Sequence, residues 1–119
     1  MSLTHIGVIG AGTMGNGIAQ VCAMAGLQVT MIDVQDAAVQ RGLATLASSL
    51  DRLVKKEKLT QADRDAAVAR VTGSTRYEDL ASAQLVIEAA TENLELKLRI
   101  LTQVEAIVAA DAVVATNTS

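Results

Sequence analysis

The chain has 119 residues, 50% of them apolar, with no Phe, Trp or Pro, one Tyr and 21 Ala, so any core it builds is aliphatic. Average usage would place about six prolines in this length. Ten basic against thirteen acidic residues leave a net charge of −3, which disfavours a nucleic-acid or anionic-membrane surface, and a mean hydropathy of +0.34 argues against disorder.

The length suits one ordinary domain or part of a larger one. One Cys and one His exclude an intrachain disulfide and a Cys/His zinc site, so no metal is expected. No apolar run approaches the ~18–20 residues that span a bilayer, and the first residues show no basic n-region followed by a cleavage site, so no secretory leader is expected. A cytoplasmic location is expected, with no membrane partner. Cys22 reads as a small buried apolar residue, and His5 as a polar residue at a strand entrance.

Residues 6–9 (Ile-Gly-Val-Ile) form a short apolar run opening onto glycines, which reads as a buried strand. From Thr13 a helical pattern runs through Ile18, Val21, Cys22 and Ala25, with Gly26 where a helix-terminating glycine belongs. Residues 29–32 form a second apolar strand ending at Asp33. The first 33 residues therefore read as one βαβ unit. Asp36 is placed to cap the next helix, whose apolar stripe is Val39, Leu43, Leu46, Leu50, Leu53 and Val54. Its other face carries Arg41, Ser48, Ser49, Arg52, Lys55 and Lys56. Thr60 with Asp63 resembles a capping box with a shortened acid, opening a helix through Ala66, Ala67 and Val71 after a bend at 55–58. A short strand at 71–75, a turn at 79–83, a strand at 84–89, a helix marked by Leu94, Leu98, Leu101, Val104 and Val108, and a strand at 112–115 complete the pattern. Alternating strands and helices predict an α/β fold whose parallel sheet is covered on both faces.

Gly10-Ala11-Gly12-Thr13-Met14-Gly15 matches G-x-G-x-x-G. Alone that pattern is weak. Here it follows a strand, opens a helix and precedes an acid, Asp33, at close to the spacing of about 20 residues expected of a ribose-binding carboxylate. Gly10 permits the tight turn, Gly12 lets backbone approach a pyrophosphate, and Gly15 lets helix and strand pack. The helix start then offers N–H groups and a positive dipole end. The competing reading is a structural glycine turn with no ligand. Asp33 should repel a 2′-phosphate and no Arg follows it immediately, which favours NAD over NADP.

Two further groups stay open on their own residues. The cations near the end of the second helix complement its dipole or hold phosphates. Glu92 and Lys97 are helix support or part of a site, since turns at the carboxyl ends of strands are where ligands bind. Glu95 with Arg99 is ordinary i,i+4 pairing, and residues 116–119 follow the last strand on the same edge.

Taken together, Val8 and Ile9 with the glycine motif, Gly17-Ile18-Ala19, Val86-Ile87-Glu88-Ala89, Glu92-Asn93 and Asn117-Thr118-Ser119 resemble the NAD-binding domain of the 3-hydroxyacyl-CoA dehydrogenases, bacterial 3-hydroxybutyryl-CoA enzymes included. The resemblance runs from residue 4 to 119. It implies a Rossmann-type doubly wound sheet with a long helical hairpin at about 36–71. It further implies hydride exchange between NAD and an (S)-3-hydroxyacyl-CoA/3-ketoacyl-CoA pair in fatty-acid metabolism. By the same resemblance, Gly10, Ala11, Gly12, Thr13, Met14, Gly15, Asp33, Glu92 and Lys97 contact the cofactor, Ser49 and Lys56 contact CoA, and Ser119 lies beside both nicotinamide and substrate. The family's catalytic His, its orienting Glu, a substrate-binding Asn and a dimer-forming helical domain come after the Asn-Thr-Ser segment. The chain thus looks like an incomplete domain spanning 1–119, expected to bind NAD weakly and to turn over no substrate by itself. A dehydrogenase of a free hydroxy acid or sugar acid, and a non-catalytic nucleotide-binding module, are the alternatives.

Overall fold

The computed structural model describes residues 3–116; Asn117, Thr118 and Ser119, the expected substrate-side segment, lie outside the described residues. Strands β1 (His5–Ile9), β2 (Gln28–Ile32), β3 (Val71–Ser74), β4 (Leu85–Glu88) and β5 (Val113–Thr116) form a parallel sheet in the order β3-β2-β1-β4-β5. Helices α1 (Thr13–Met24), α2 (Asp36–Lys55), α3 (Gln61–Ala69) and α4 (Leu94–Glu105), with a 3₁₀ turn at Tyr77–Leu80, complete the expected doubly wound arrangement and its α2–α3 hairpin.

Strand side chains alternate between the two faces, and both faces are covered. Ile6, Val8, Val29 and Met31 meet Ala19, Ala23, Leu46, Leu50 and Ala67 on the α1–α3 side. Ile9, Ile32 and Val86 meet Leu80, Ala83, Ile100 and Val104 on the other side, where Tyr77, the single aromatic residue, packs against the cluster. Burial of both faces is why these strands read as continuous apolar runs rather than alternating ones.

Helix α1 ends as its glycine foretold. Gly26 adopts φ +94°, with Gly26 N donating to the Ala23 carbonyl and Leu27 N to that of Cys22, both at 3.1 Å, a Schellman closure. The same closure ends α2, through Glu57 N to the Val54 carbonyl at 3.0 Å and Lys58 N to that of Leu53 at 2.9 Å. There the left-handed position falls on a non-glycine residue, Glu57 at φ 60°. At the start of α2 the expected cap is displaced. Gln35 holds the cap position without a side-chain bond, and Asp36 is the first helical residue, so its charge faces the positive helix end instead of accepting an N–H. Thr60 does cap α3, its hydroxyl accepting from Asp63 N at 3.1 Å. In α4 the buried face is Lys97, Ile100 and Val104. Of the expected stripe, Val104 is buried and Val108 packs against the core, whereas Leu94 and Leu98 are turned away, 70% and 56% exposed. Leucines occupy more than one face of this helix, and an inward lysine with a buried counter-ion sets which face is inside.

Candidate dinucleotide-binding site

From β1 the chain winds outward to β2 and β3, then returns to β4 on the other side of β1. That reversal opens a crevice at the carboxyl ends of β1 and β4, and the glycine loop lies in it. Gly10 takes φ +112°, and its N–H donates to the Ile32 carbonyl at 2.6 Å. A Cβ on Gly10 would lie 2.9 Å from backbone of Ala89 and Ala90, and one on Gly15 only 1.9 Å from the Gly10 carbonyl oxygen. Protein packing requires both of those glycines. At Gly12 a Cβ would meet nothing within 4 Å, so the space over the loop is open where a pyrophosphate would approach. Gly12 is also the N-cap of α1, without a side-chain bond and with no acid in the first turn, which leaves the helix-start N–H groups and dipole for an anion. The loop fits a dinucleotide.

Asp33 ends β2 beside this loop. Its Oδ2 accepts from Ala11 N at 3.0 Å and its Oδ1 from Val34 N at 2.8 Å. The carboxylate is thereby fixed to the glycine loop, and each oxygen retains acceptor capacity for a ribose hydroxyl. A cleft of about 350 Å³ opens here, lined by Ala11, Gly12, Thr13, Asp33, Ala38, Arg41, Gly42 and Thr45. By sequence Arg41 falls on the solvated face of α2. The turn of α2 brings it to the cleft from eight positions beyond Asp33.

Across the crevice, Glu88 at the end of β4 is fully buried. Its Oε1 accepts from Lys97 Nζ at 3.0 Å and from the Thr116 hydroxyl at 2.9 Å. Its Oε2 accepts from Ala90 N at 2.6 Å and Thr91 N at 3.1 Å. Burial pushes this carboxyl up, but the Lys97 ammonium, the Ala90 amide, the Thr116 hydroxyl and the Thr91 amide outweigh it and hold the group below the ordinary carboxylate range. Glu88 thus ties the loop at 89–91, against which Gly10 packs, to α4 and β5. An acid closing an otherwise apolar strand was the available signal, because a buried carboxylate requires partners. Tyr77 feels this edge too: burial, then Asp33 and Glu88, push its phenol up.

The glycine motif and Asp33 come together, and the other expected site residues stand apart from them. Met14 is 56% exposed and lines an apolar hollow of about 510 Å³ on α1 with Gly17, Ile18, Val21 and half-buried Cys22. Lys97, 6% exposed, lies beneath the crevice edge and also donates to Thr116 at 3.1 Å. Glu92 is exposed in the loop after β4. Ser49 accepts from Arg52 Nη2 at 3.1 Å, and Lys56 is the C-cap of α2, two turns or about 10 Å further on. His5 stands at the opposite, amino-terminal edge, its ring nitrogens bonded to the hydroxyls of Ser82 at 2.9 Å and Thr30 at 2.7 Å. Among the described residues, no helix is long and apolar enough to cross a membrane.

Residues 5–119 match the family model described as "3-hydroxyacyl-CoA dehydrogenase, NAD binding domain". A 3-hydroxybutyryl-CoA dehydrogenase of Bradyrhizobium diazoefficiens is 41% identical over 117 residues, covering 98% of this chain and 40% of the relative. The crystal structure of the (S)-3-hydroxybutyryl-CoA dehydrogenase of Ralstonia eutropha superposes with a TM-score of 0.96 at 60% identity, over 99% of this chain and 42% of that one. A fatty acid oxidation complex subunit alpha of Pseudomonas paraeruginosa is 38% identical over 112 residues, 94% of this chain and 16% of the relative. The chain therefore spans less than half the length of these relatives. With its open glycine cradle, its β2 acid and this match over nearly every residue, the chain belongs to the 3-hydroxyacyl-CoA dehydrogenase family, as its NAD-binding domain.

Proposed function

We propose that this chain is the cofactor-holding part of a cytoplasmic oxidoreductase that interconverts (S)-3-hydroxyacyl-CoA and 3-ketoacyl-CoA, the full-length protein being a homodimer. The observation that carries this reading is the Asp33 carboxylate bonded to Ala11 N beside a Gly12 with open space above it. NAD, when bound, supplies hydride acceptance and return. The chain's own residues bind and orient. Gly12, Thr13 and Met14 at the start of α1 present backbone to the pyrophosphate, Gly10, Ala11 and Gly15 shape the loop that places them, Asp33 accepts from the adenosine ribose, and the 89–93 loop with Glu92 and Lys97 borders the far half of the crevice.

Recognition of CoA falls to the end of α2, where Ser49, Arg52 and Lys56 lie three and four residues apart and so share a face. Proton abstraction from a 3-hydroxyl needs a base within hydrogen-bond reach. The single histidine is at the wrong sheet edge, roughly 17 Å of strand from the glycine loop, so the base is assigned outside the described residues. The 119-residue chain should quench or enhance NADH fluorescence, and acetoacetyl-CoA should protect Lys56 from amine modification. Unprotected Lys56 would remove the acyl-CoA assignment. Oxidation of a 3-hydroxyacyl-CoA by this chain alone would overturn the placement of the base.

A further inference from the structure

The cleft beside Asp33 has two charged walls, Asp33 on one and Arg41 on the other. Ala38, Arg41, Gly42 and Thr45 recur at helical spacings, so a single face of α2 looks across the cleft at Gly12 and Asp33. Gly42 is the point of closest approach: a Cβ there would lie 2.9 Å from Ala11 Cβ and Met31 Sδ. Buried Asn16 fastens the same point, its Nδ2 donating to the Gly42 carbonyl at 2.7 Å. Arg41, one residue earlier, is thereby held at the mouth of the cleft. Its exposed guanidinium has no hydrogen-bond or ion-pair partner among the described residues. Asp33, in contrast, has both oxygens engaged by backbone amides, and no ion pair joins the two.

A guanidinium presents N–H donors in a planar fork that matches phosphate oxygens. In a doubly wound fold the adenosine ribose lies against the acid ending β2, so a phosphate on its 2′-oxygen would enter this same cleft. We propose that Arg41 is a phosphate-recognising residue of the adenosine cleft, and that exclusion of a 2′-phosphorylated dinucleotide rests on the charge of Asp33 alone. This inference rests on the dinucleotide reading above. It also revises the reason for preferring NAD: an arginine is present, delivered by the helix rather than by the next position in the chain.

The test uses the 119-residue chain as wild type, Asp33→Asn, Arg41→Ala and the double variant, each titrated with NADH and NADPH by fluorescence. Asn keeps an amide oxygen able to accept from Ala11 N. Asp33→Asn should bind NADPH about tenfold tighter than wild type, the scale of one charge-assisted hydrogen bond. Adding Arg41→Ala should remove that gain, and rising salt should erode it. Should Asp33→Asn unfold the loop, the single Arg41→Ala variant still decides. It should lower the preference for adenosine 2′,5′-bisphosphate over 5′-AMP in competition against NADH. A gain in NADPH affinity that survives Arg41→Ala, or no gain at all, overturns the proposal. Wild type that fails to bind NADH overturns the dinucleotide reading with it, whereas ordinary NADH binding with no effect of Arg41 overturns this inference only.

Discussion

Replacing Glu88 by Gln changes a charge and almost no volume, at a position closed to water. Lys97 would keep the Thr116 hydroxyl among its partners and lose the Glu88 carboxylate. Removing one member of a buried pair costs about 3–5 kcal/mol. The retained hydroxyl and the position near the strand ends place this case at about 3 kcal/mol. In a domain of this size each kcal/mol moves the melting temperature by about 3–6 °C, so Glu88→Gln should melt roughly 9–18 °C lower. Urea unfolding followed by far-UV circular dichroism measures the loss directly. Its pH dependence has a definite sign. The carboxyl is held below its ordinary value of 4.5, so the network's contribution is complete above that value and is lost as pH falls through the lowered one. Gln does not titrate, so the gap between wild type and variant is widest near neutrality and closes in acid, whereas a packing defect would keep it constant. Adding Lys97→Met should recover at least half of the loss by removing the buried ammonium. A loss under about 1 kcal/mol, or a double variant no better than the single one, would refute a coupled pair.

Four further substitutions probe ligand space, packing and the helix ends. Gly12→Ala should melt within about 2 °C of wild type, since its φ of −73° is ordinary and a surface change usually stays within about 0.5 kcal/mol; NADH affinity should drop by about tenfold or more, each tenfold being about 1.4 kcal/mol. Unchanged NADH binding would move the dinucleotide elsewhere. Gly15→Ala should instead lose about 1–3 kcal/mol of stability to overpacking against Gly10, read in the same melts. Glu57→Gly should raise the urea midpoint by relieving a left-handed non-glycine residue, a gain of about 1 kcal/mol; a fall would show that the side chain holds the turn. Thr60→Ala should cost about 1 kcal/mol, and helix α3 should lose hydrogen-exchange protection at Asp63.

The strands, the glycine loop and the α2–α3 hairpin could be read from the chain because each rests on local rules. Gly26 stands where a helix must reverse, Thr60 where one must start, and the β2 acid follows a buried run. Features that depend on how elements face one another could not be read that way. The periodicity of α4 offers leucines on several faces, and only the buried Glu88 decides that Lys97 points inward. Arg41 looks solvated until the pitch of α2 and the close approach at Gly42 turn it toward Asp33. Asp36 fits a cap by residue type, yet the helix starts one residue too early for it to bond an N–H. In the site, then, the cradle was legible, and the partners on neighbouring elements emerged only from packing.

The fastening of α2 has a mechanical consequence. A helix of 20 residues is a rod about 30 Å long, here gripped by Gly42 against Ala11 and by Asn16, with Leu46 and Leu50 seated in the core beyond that point. Its other end carries Ser49, Arg52 and Lys56. The glycine loop and the rod are therefore coupled, and a shift of one is carried to the other. From Gly42 to Lys56 the arm is about 21 Å, so a tilt of about 5° there would swing the far end by about 1.8 Å, enough to break a hydrogen bond. Whatever seats itself on the loop can therefore set the position of cations it never touches.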